Sequence, residues 1–304
     1  MSEQVTVNPG QSVRSLRQLI EWAADRLQSA GVYFGHGTDN ALSEAEFLVL
    51  RTLQLPLDIE DVMLDQPVAG ERRQAALAVV NERIQTRKPA AYLLGECWFA
   101  GLRFYVNEHV LVPRSPMAEL ILEQFSPWCR AESVSRILDI GTGSGCIAIA
   151  SALAFPGATV DAIDISAEAL AVARRNVVFH GLQDRVNLIE SDLFRNLGDT
   201  QYDLIIANPP YVDAEDFAAM PPEFRHEPAI GLRAGTDGLE IVRRILESAG
   251  KYLTESGVLV VEVGNSETAL TEQYPRAPFL WLEFARGGEG VFLLTRQELD
   301  QFFP

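Results

Sequence analysis

Ile137-Leu138-Asp139-Ile140-Gly141-Thr142-Gly143-Ser144-Gly145 runs from a short apolar stretch into a glycine-rich turn, and an apolar segment over 147–153 follows. A strand, a tight turn and a helix is the reading this order dictates, because glycine tolerates the backbone conformations that a sharp strand-to-helix connection requires. Glycines at 141, 143 and 145 also let a ligand approach the backbone closely. A dinucleotide fingerprint carries its third glycine one position later, where this chain has Cys146. The spacing therefore favours a ligand other than NAD.

Downstream, short apolar runs at 159–163, 186–190, 202–207 and 258–263 alternate with segments of helical periodicity. That alternation predicts an α/β fold with a mostly parallel sheet covered on both faces. Near the end, the runs 280–285 and 291–295 enclose Gly287-Gly288-Glu289-Gly290, which predicts an antiparallel hairpin at the sheet edge. Upstream, residues 12–87 read as helical, with Leu16, Leu19, Ile20 and Ala23 spaced three to four apart. Ser43 and Glu46 suggest a capping box ahead of Phe47, Leu48 and Leu50. Around 97–106 the pattern changes to aromatic-rich runs flanking Ala100-Gly101, a hairpin signal. The expected organisation is a helical domain over 1–94, a hairpin linker over 95–115 and a catalytic domain over 116–304.

Open parallel sheets bind ligands beyond the carboxyl ends of their strands, and the polar residues of interest all fall there. Asp164 ends the second strand, where an acidic side chain can accept from both hydroxyls of a ribose. Asp192, after the third, either accepts from an adenine amino group or closes an Asx turn. Asn208-Pro209-Pro210-Tyr211 follows the apolar run at 204–207. Both prolines fix φ and lack an N–H, so this turn is rich in acceptors and poor in donors. The Asn208 side-chain oxygen and a proline-turn carbonyl can each take one hydrogen of a planar –NH₂, with the Tyr211 ring packed over the plane.

The 304 residues carry a formal net charge of −17. Binding to a phosphate backbone draws its free energy from counterion release by basic side chains, so nucleic acid is disfavoured and a basic protein partner fits better. Arg72, Arg73, Arg83, Arg87 and Lys88 cluster, but Glu71 and Glu82 dilute them and the segment reads as a solvated helix face. No apolar stretch reaches the ~18 residues a membrane span needs. Met1-Ser2-Glu3-Gln4 lacks the pattern of a leader, so a cytoplasmic location is expected. Cys97, Cys129 and Cys146 are odd in number and far apart, and His36, His109 and His180 share no ligand spacing, so neither a disulfide framework nor a metal site is expected.

In order and interval, Asp139 to Gly145, Asp164, Ser191-Asp192 and Asn208 to Tyr211 resemble the S-adenosylmethionine-dependent methyltransferases. The resemblance implies a Rossmann-like, seven-stranded sheet and that cofactor. It implies Asp139, Gly141, Thr142, Gly143, Gly145, Asp164, Asp192 and Asn208 as cofactor-binding residues. Asn208, Pro209, Pro210 and Tyr211 would bind substrate, with Asn208, Pro209 and Tyr211 catalytic. Asn-Pro-Pro-Tyr narrows the class to enzymes that methylate exocyclic amino groups of bases or side-chain amides of glutamine. Pro89-Ala90-Ala91-Tyr92-Leu93-Leu94-Gly95 and Val112-Pro113-Arg114 further resemble the protein glutamine methyltransferases. Within these, the stretch from Tyr33 to Ala41, Ser115-Pro116 after Arg114, and Phe224-Arg225-His226-Glu227-Pro228 look like the family acting on the third protein of the large ribosomal subunit. A relative acting on peptide-chain release factors, a nucleic-acid amino methyltransferase and a non-catalytic partner protein are the competing readings. Arg114 either pairs with the cofactor carboxylate or anchors the linker. His226 and Glu227 read as a polar loop over the substrate or as proton-transfer groups.

Overall fold

A computed structural model describes residues 14–304. The reading of the first four residues, and the start of the helical pattern at Ser12, lie outside them. The chain divides into two compact units, one running up to Gly95 and also taking in Pro221–His226, the other comprising Glu96–Met220 and Glu227–Pro304.

The first unit is helical: α1 (Leu16–Ser29), α2 (Ala41–Thr52), α3 (Asp61–Leu64), α4 (Gly70–Thr86) and α5 (Ala90–Leu94). Leu16, Leu19, Ile20 and Ala23 are buried on one side of α1, as their spacing predicts. The cap of α2 is not Ser43. Asn40 takes that position and its side chain accepts from the Ser43 N–H at 2.9 Å, which places Ser43 inside the first turn. The solvated-face reading of the basic cluster fails at Arg83, which is fully buried. Its Nε donates to Glu44 at 2.8 Å, its Nη2 to the Tyr33 carbonyl at 2.9 Å, and its Nη1 lies 3.4 Å from Glu223. Glu223 is drawn into this unit by that charge, by Arg87 at 3.5 Å and by the Tyr33 N–H at 3.1 Å. A buried carboxylate and a buried guanidinium each need the other, which packs Pro221–His226 with the helical unit.

The second unit opens with the antiparallel hairpin of β1 (Glu96–Phe99) and β2 (Leu102–Tyr105), turning at Ala100-Gly101. After α6 (Met117–Leu122) comes the alternation β3 (Arg136–Ile140), α7 (Cys146–Ala154), β4 (Thr159–Asp164), α8 (Ala167–Phe179), β5 (Val186–Glu190) and β6 (Tyr202–Ala207). Then follow α9 (Ala214–Ala219), α10 (Glu240–Tyr252), β7 (Leu253–Glu262), α11 (Glu267–Gln273), β8 (Leu280–Trp281), β9 (Val291–Thr295) and α12 (Arg296–Phe302). The seven-stranded sheet has the order β5-β4-β3-β6-β7-β9-β8. The five strands from β5 to β7 are parallel, and β9 is antiparallel to both its neighbours. The expected edge hairpin is present, with β8 only two residues long.

Alternation of side chains sorts the strands between two faces. Leu138, Ile140, Ile205, Ala207, Leu259, Val261, Phe292 and Leu294 form one apolar face, packed with Leu239, Val242, Ile245, Leu246, Ala249 and Leu299 of the α10 and α12 regions. The intervening residues of β3 face the other way, where Asp139 accepts from the N–H of Ala148 on α7. Such a core holds the strand ends rigid, which is what a site built on them requires.

Candidate active site

Strand order reverses between β3 and β6, the place where parallel sheets open a crevice at their carboxyl edge. The register fixes who stands there. Ile140 of β3 pairs with Ile163 of β4 on one side and with Ala207 of β6 on the other, and Ala207 pairs with Val261 of β7. The next residue along each strand is therefore Asp164, Gly141, Asn208 and Glu262, side by side. The first three are the expected ones. Glu262 is new.

The glycine turn and the two acids behind it form one hydrogen-bonded unit. Gly141 and Thr142 both donate N–H to the Ile163 carbonyl at 2.9 Å. Asp164 accepts from Gly143 N–H through Oδ2 and from Ser166 N–H through Oδ1, each at 2.9 Å. Burial raises its pKa, and those N–H donors oppose the shift. Gly145 begins α7 with φ of +81°, and a Cβ there would press to 3.3 Å on Ala173 of α8. Asp139 is 1% exposed. Its Oδ2 accepts from the Thr142 hydroxyl at 2.6 Å and from Ala148 N–H at 3.1 Å, whereas its Oδ1 is buried with no hydrogen-bond partner. Burial pushes this carboxyl up to about 7. An orphaned acceptor beneath a glycine turn fits a ligand that brings a cationic donor, as an amino acid-bearing cofactor does.

Asp192 lies two residues beyond β5, and both its oxygens accept from Nη2 of Arg244, at 2.7 and 2.8 Å. Neither of the two sequence readings named this partner.

Asn208 and Pro210 are half-buried and Pro209 is buried. Tyr211 is anchored at three points. Its hydroxyl donates to Glu262 at 3.1 Å, its carbonyl accepts from the Ser266 hydroxyl at 2.9 Å, and its ring lies against Gly264. A Cβ on Gly264, whose φ is +47°, would come within 2.6 Å of that ring, so only glycine fits. The turn then leaves through Val212, which exchanges backbone hydrogen bonds with Leu232 and Ala234.

Arg114 grips Glu227 with two parallel bonds of 2.6 and 2.8 Å, and Val112 N–H adds a third to the same carboxylate at 3.0 Å. Glu227 is 5% exposed, so it is a buried anchor of the segment before α6 and not an open polar loop. His226 Nε2 sits 2.9 Å from the Thr86 carbonyl, within the helical unit. Sequence reasoning missed Glu262 and Arg244, and it noted Ser115 without giving it a contact. The one sequence signal for Glu262 is a carboxylate interrupting the otherwise apolar run 258–263. Among the described residues no group of His, Cys, Asp and Glu comes together to hold a metal, and no helix is long and apolar enough to cross a membrane.

Residues 117–223 match the model of the methyltransferase small domain. The chain is 46% identical over 292 residues to the ribosomal protein uL3 glutamine methyltransferase of Francisella tularensis, covering 96% of this chain and 93% of that protein. It is 48% identical over 294 residues to the protein of the same name from Bordetella pertussis, covering 96% and 99%. Among solved structures, the hMettl16 catalytic domain in complex with the MAT2A 3′UTR hairpin 6 superposes with a TM-score of 0.51 at 18% identity, over 74% of this chain and 81% of that one, a likeness of fold alone. Methyltransferases of this kind take their methyl group from S-adenosylmethionine. By identity along nearly its whole length, the chain belongs to the ribosomal protein uL3 glutamine methyltransferase family.

Proposed function

We propose that this chain transfers a methyl group from S-adenosylmethionine to the side-chain amide nitrogen of a glutamine in the ribosomal protein uL3. The observation that carries the reading is the adjacency of Asn208 to Gly141, since a Cβ on Gly141 would stand 3.8 Å from the Asn208 carbonyl oxygen. A cofactor seated on the glycine turn and an amide seated on the proline turn would thus be neighbours. Names borne by the relatives supply the identity of the amide.

When bound, the cofactor supplies an electrophilic methyl on a sulfonium. The Asn208 side-chain oxygen and the Pro209 carbonyl accept the two amide hydrogens. Pro210 holds the turn and Tyr211 borders the amide. An amide nitrogen is a poor nucleophile, so the enzyme orients it, and holding reactants at attack distance supplies up to ~7–11 kcal/mol. Both acceptors strengthen as positive charge builds on nitrogen, which adds a preorganised electrostatic contribution. On the cofactor side, the free Oδ1 of Asp139 would hold the ammonium group, Asp164 would accept from the ribose hydroxyls, and Gly141, Thr142, Gly143 and Gly145 would allow the close backbone approach. Asp192 and its partner Arg244 would border the base.

Residues 1–94 serve as the substrate-recognition domain, 95–115 as the linker and 116–304 as the catalytic domain. A net charge of −17 suits a basic ribosomal protein better than RNA. The cytoplasm, where ribosomal proteins are made and assembled, is the compartment that fits. The test is to incubate the protein and labelled cofactor separately with free uL3, with release factors and with ribosomal RNA, and to map the methyl by fragment mass spectrometry. Labelled glutamine in uL3 is expected. Labelling of release factors alone overturns the substrate, and labelling of RNA alone overturns the class.

A further inference from the structure

We propose that Glu262 is the positioning residue for Tyr211, holding and polarising its phenol for methyl transfer. The proposal rests on the reading above, in which Tyr211 borders the acceptor amide. Glu262 ends β7 in register with Asn208 and is 6% exposed. Each of its oxygens takes one hydroxyl: Oε1 accepts from Tyr211 at 3.1 Å and Oε2 from Ser115 at 2.5 Å. Ser115 Oγ in turn accepts from the N–H of Met117, the first residue of α6. One carboxylate thus ties together three segments: the approach to α6, the turn after β6 and the end of β7.

Its charge has a consequence for Tyr211. A hydroxyl has a single proton, so a Tyr211 that donates to a carboxylate keeps its oxygen lone pairs and its ring electron-rich. Electron-rich oxygen and ring attract cationic groups, here the sulfonium methyl and the nitrogen on which positive charge develops. Arg114 and Glu227, paired with each other, are the further charged groups near this hydroxyl. Burial raises the Glu262 pKa while the two hydroxyl donors and Arg114 favour its charge. The carboxylate touches no reacting atom and acts through the tyrosine.

A double-mutant cycle of Glu262→Gln and Tyr211→Phe tests this, using methylation of free uL3 for turnover and calorimetry for cofactor affinity. Wild-type turnover of uL3 in the same assay checks the underlying reading separately. Glutamine keeps the size and one acceptor but removes the charge. Glu262→Gln is expected to lower kcat by about tenfold or more, the worth of a hydrogen bond to a charged group. KM for uL3 and cofactor affinity should stay within about twofold, and the loss should vanish in the Tyr211→Phe background. A loss of the same factor in both backgrounds overturns the proposal. So does a Glu262→Gln variant whose cofactor affinity and melting temperature fall together with kcat, because the carboxylate would then only hold the fold.

Discussion

Oδ2 of Asp164 accepts from the N–H of Gly143, so the acid at the end of β4 closes the glycine turn at the end of β3. One carboxylate shapes the loop and still has lone pairs to offer a ligand. Asp164→Asn leaves a single acceptor oxygen for two N–H donors, those of Gly143 and Ser166. Losing a hydrogen bond to a charged group costs about 1.5–3 kcal/mol, so cofactor affinity should fall on the order of ten- to a hundredfold. Calorimetric titration with S-adenosylmethionine measures it. An unchanged dissociation constant would remove Asp164 from the cofactor site.

Much of this edge was legible because strands, turns and acids there obey local rules. Apolar runs of four to six residues bounded by turn signals read as buried strands, and glycines at 141, 143 and 145 fit a tight turn between β3 and α7. What escaped depends on distant partners. Arg83 looks like any arginine on a charged helix until Glu44 and Glu223, remote in sequence, close around it. Ser43 carries the right spacing for a cap, yet Asn40 carries equal cap propensity and the chain path decided between them. Glu262 sits inside the apolar run 258–263, and its local sequence does not announce that Tyr211 and Ser115 will meet it.

The orphaned Oδ1 makes Asp139 a pH-sensitive part of the site. Its folded pKa of about 7 lies above the ordinary aspartate value of 3.8. In the ligand-free protein the group therefore favours folding at acidic pH, and that contribution fades as pH rises through 7. Asp139→Asn should track wild type near pH 4 and gain stability relative to it toward pH 8, by up to a few kcal/mol. If, as proposed, the same charge holds the cofactor ammonium, cofactor affinity should weaken as pH drops below about 7, by at most tenfold per unit. Chemical denaturation and titration at several pH values check both. Stability curves that stay parallel for wild type and variant would contradict the assignment.

Within the helical unit, Arg83→Met leaves Glu44 and Glu223, each 1% exposed, facing a side chain that cannot neutralise them. Breaking one partner out of a buried ionic cluster costs about 3–5 kcal/mol. Burial already raises the Glu44 pKa against the pull of Arg83, and removal of Arg83 raises it further. A protonated Glu44 no longer needs the guanidinium, so the penalty should be greatest above neutral pH and shrink in acid. Urea unfolding at pH 8 and pH 5 measures it, and an equal penalty at both would mean that packing, not charge, holds Arg83.

Asn208 follows Ala207 at the centre of the sheet edge, next to the glycine turn on one side and Glu262 on the other. The turn offers acceptors without N–H donors at both prolines, which suits a group that only donates. Asn208→Ala removes the side-chain acceptor that grows stronger as the amide nitrogen becomes positive, and should lower kcat by roughly 10²–10³. In the proposed site Asp139, Asp164 and the glycine backbone hold the cofactor, so its affinity should change far less than kcat. Asn208→Asp keeps an acceptor but adds a negative charge, which also fits a nitrogen turning positive, and should retain more turnover than alanine at neutral pH. Single-turnover methylation of uL3 with labelled cofactor separates the steps. An alanine variant that turns over near the wild-type rate would place amide recognition elsewhere and leave the proline turn as a strand cap.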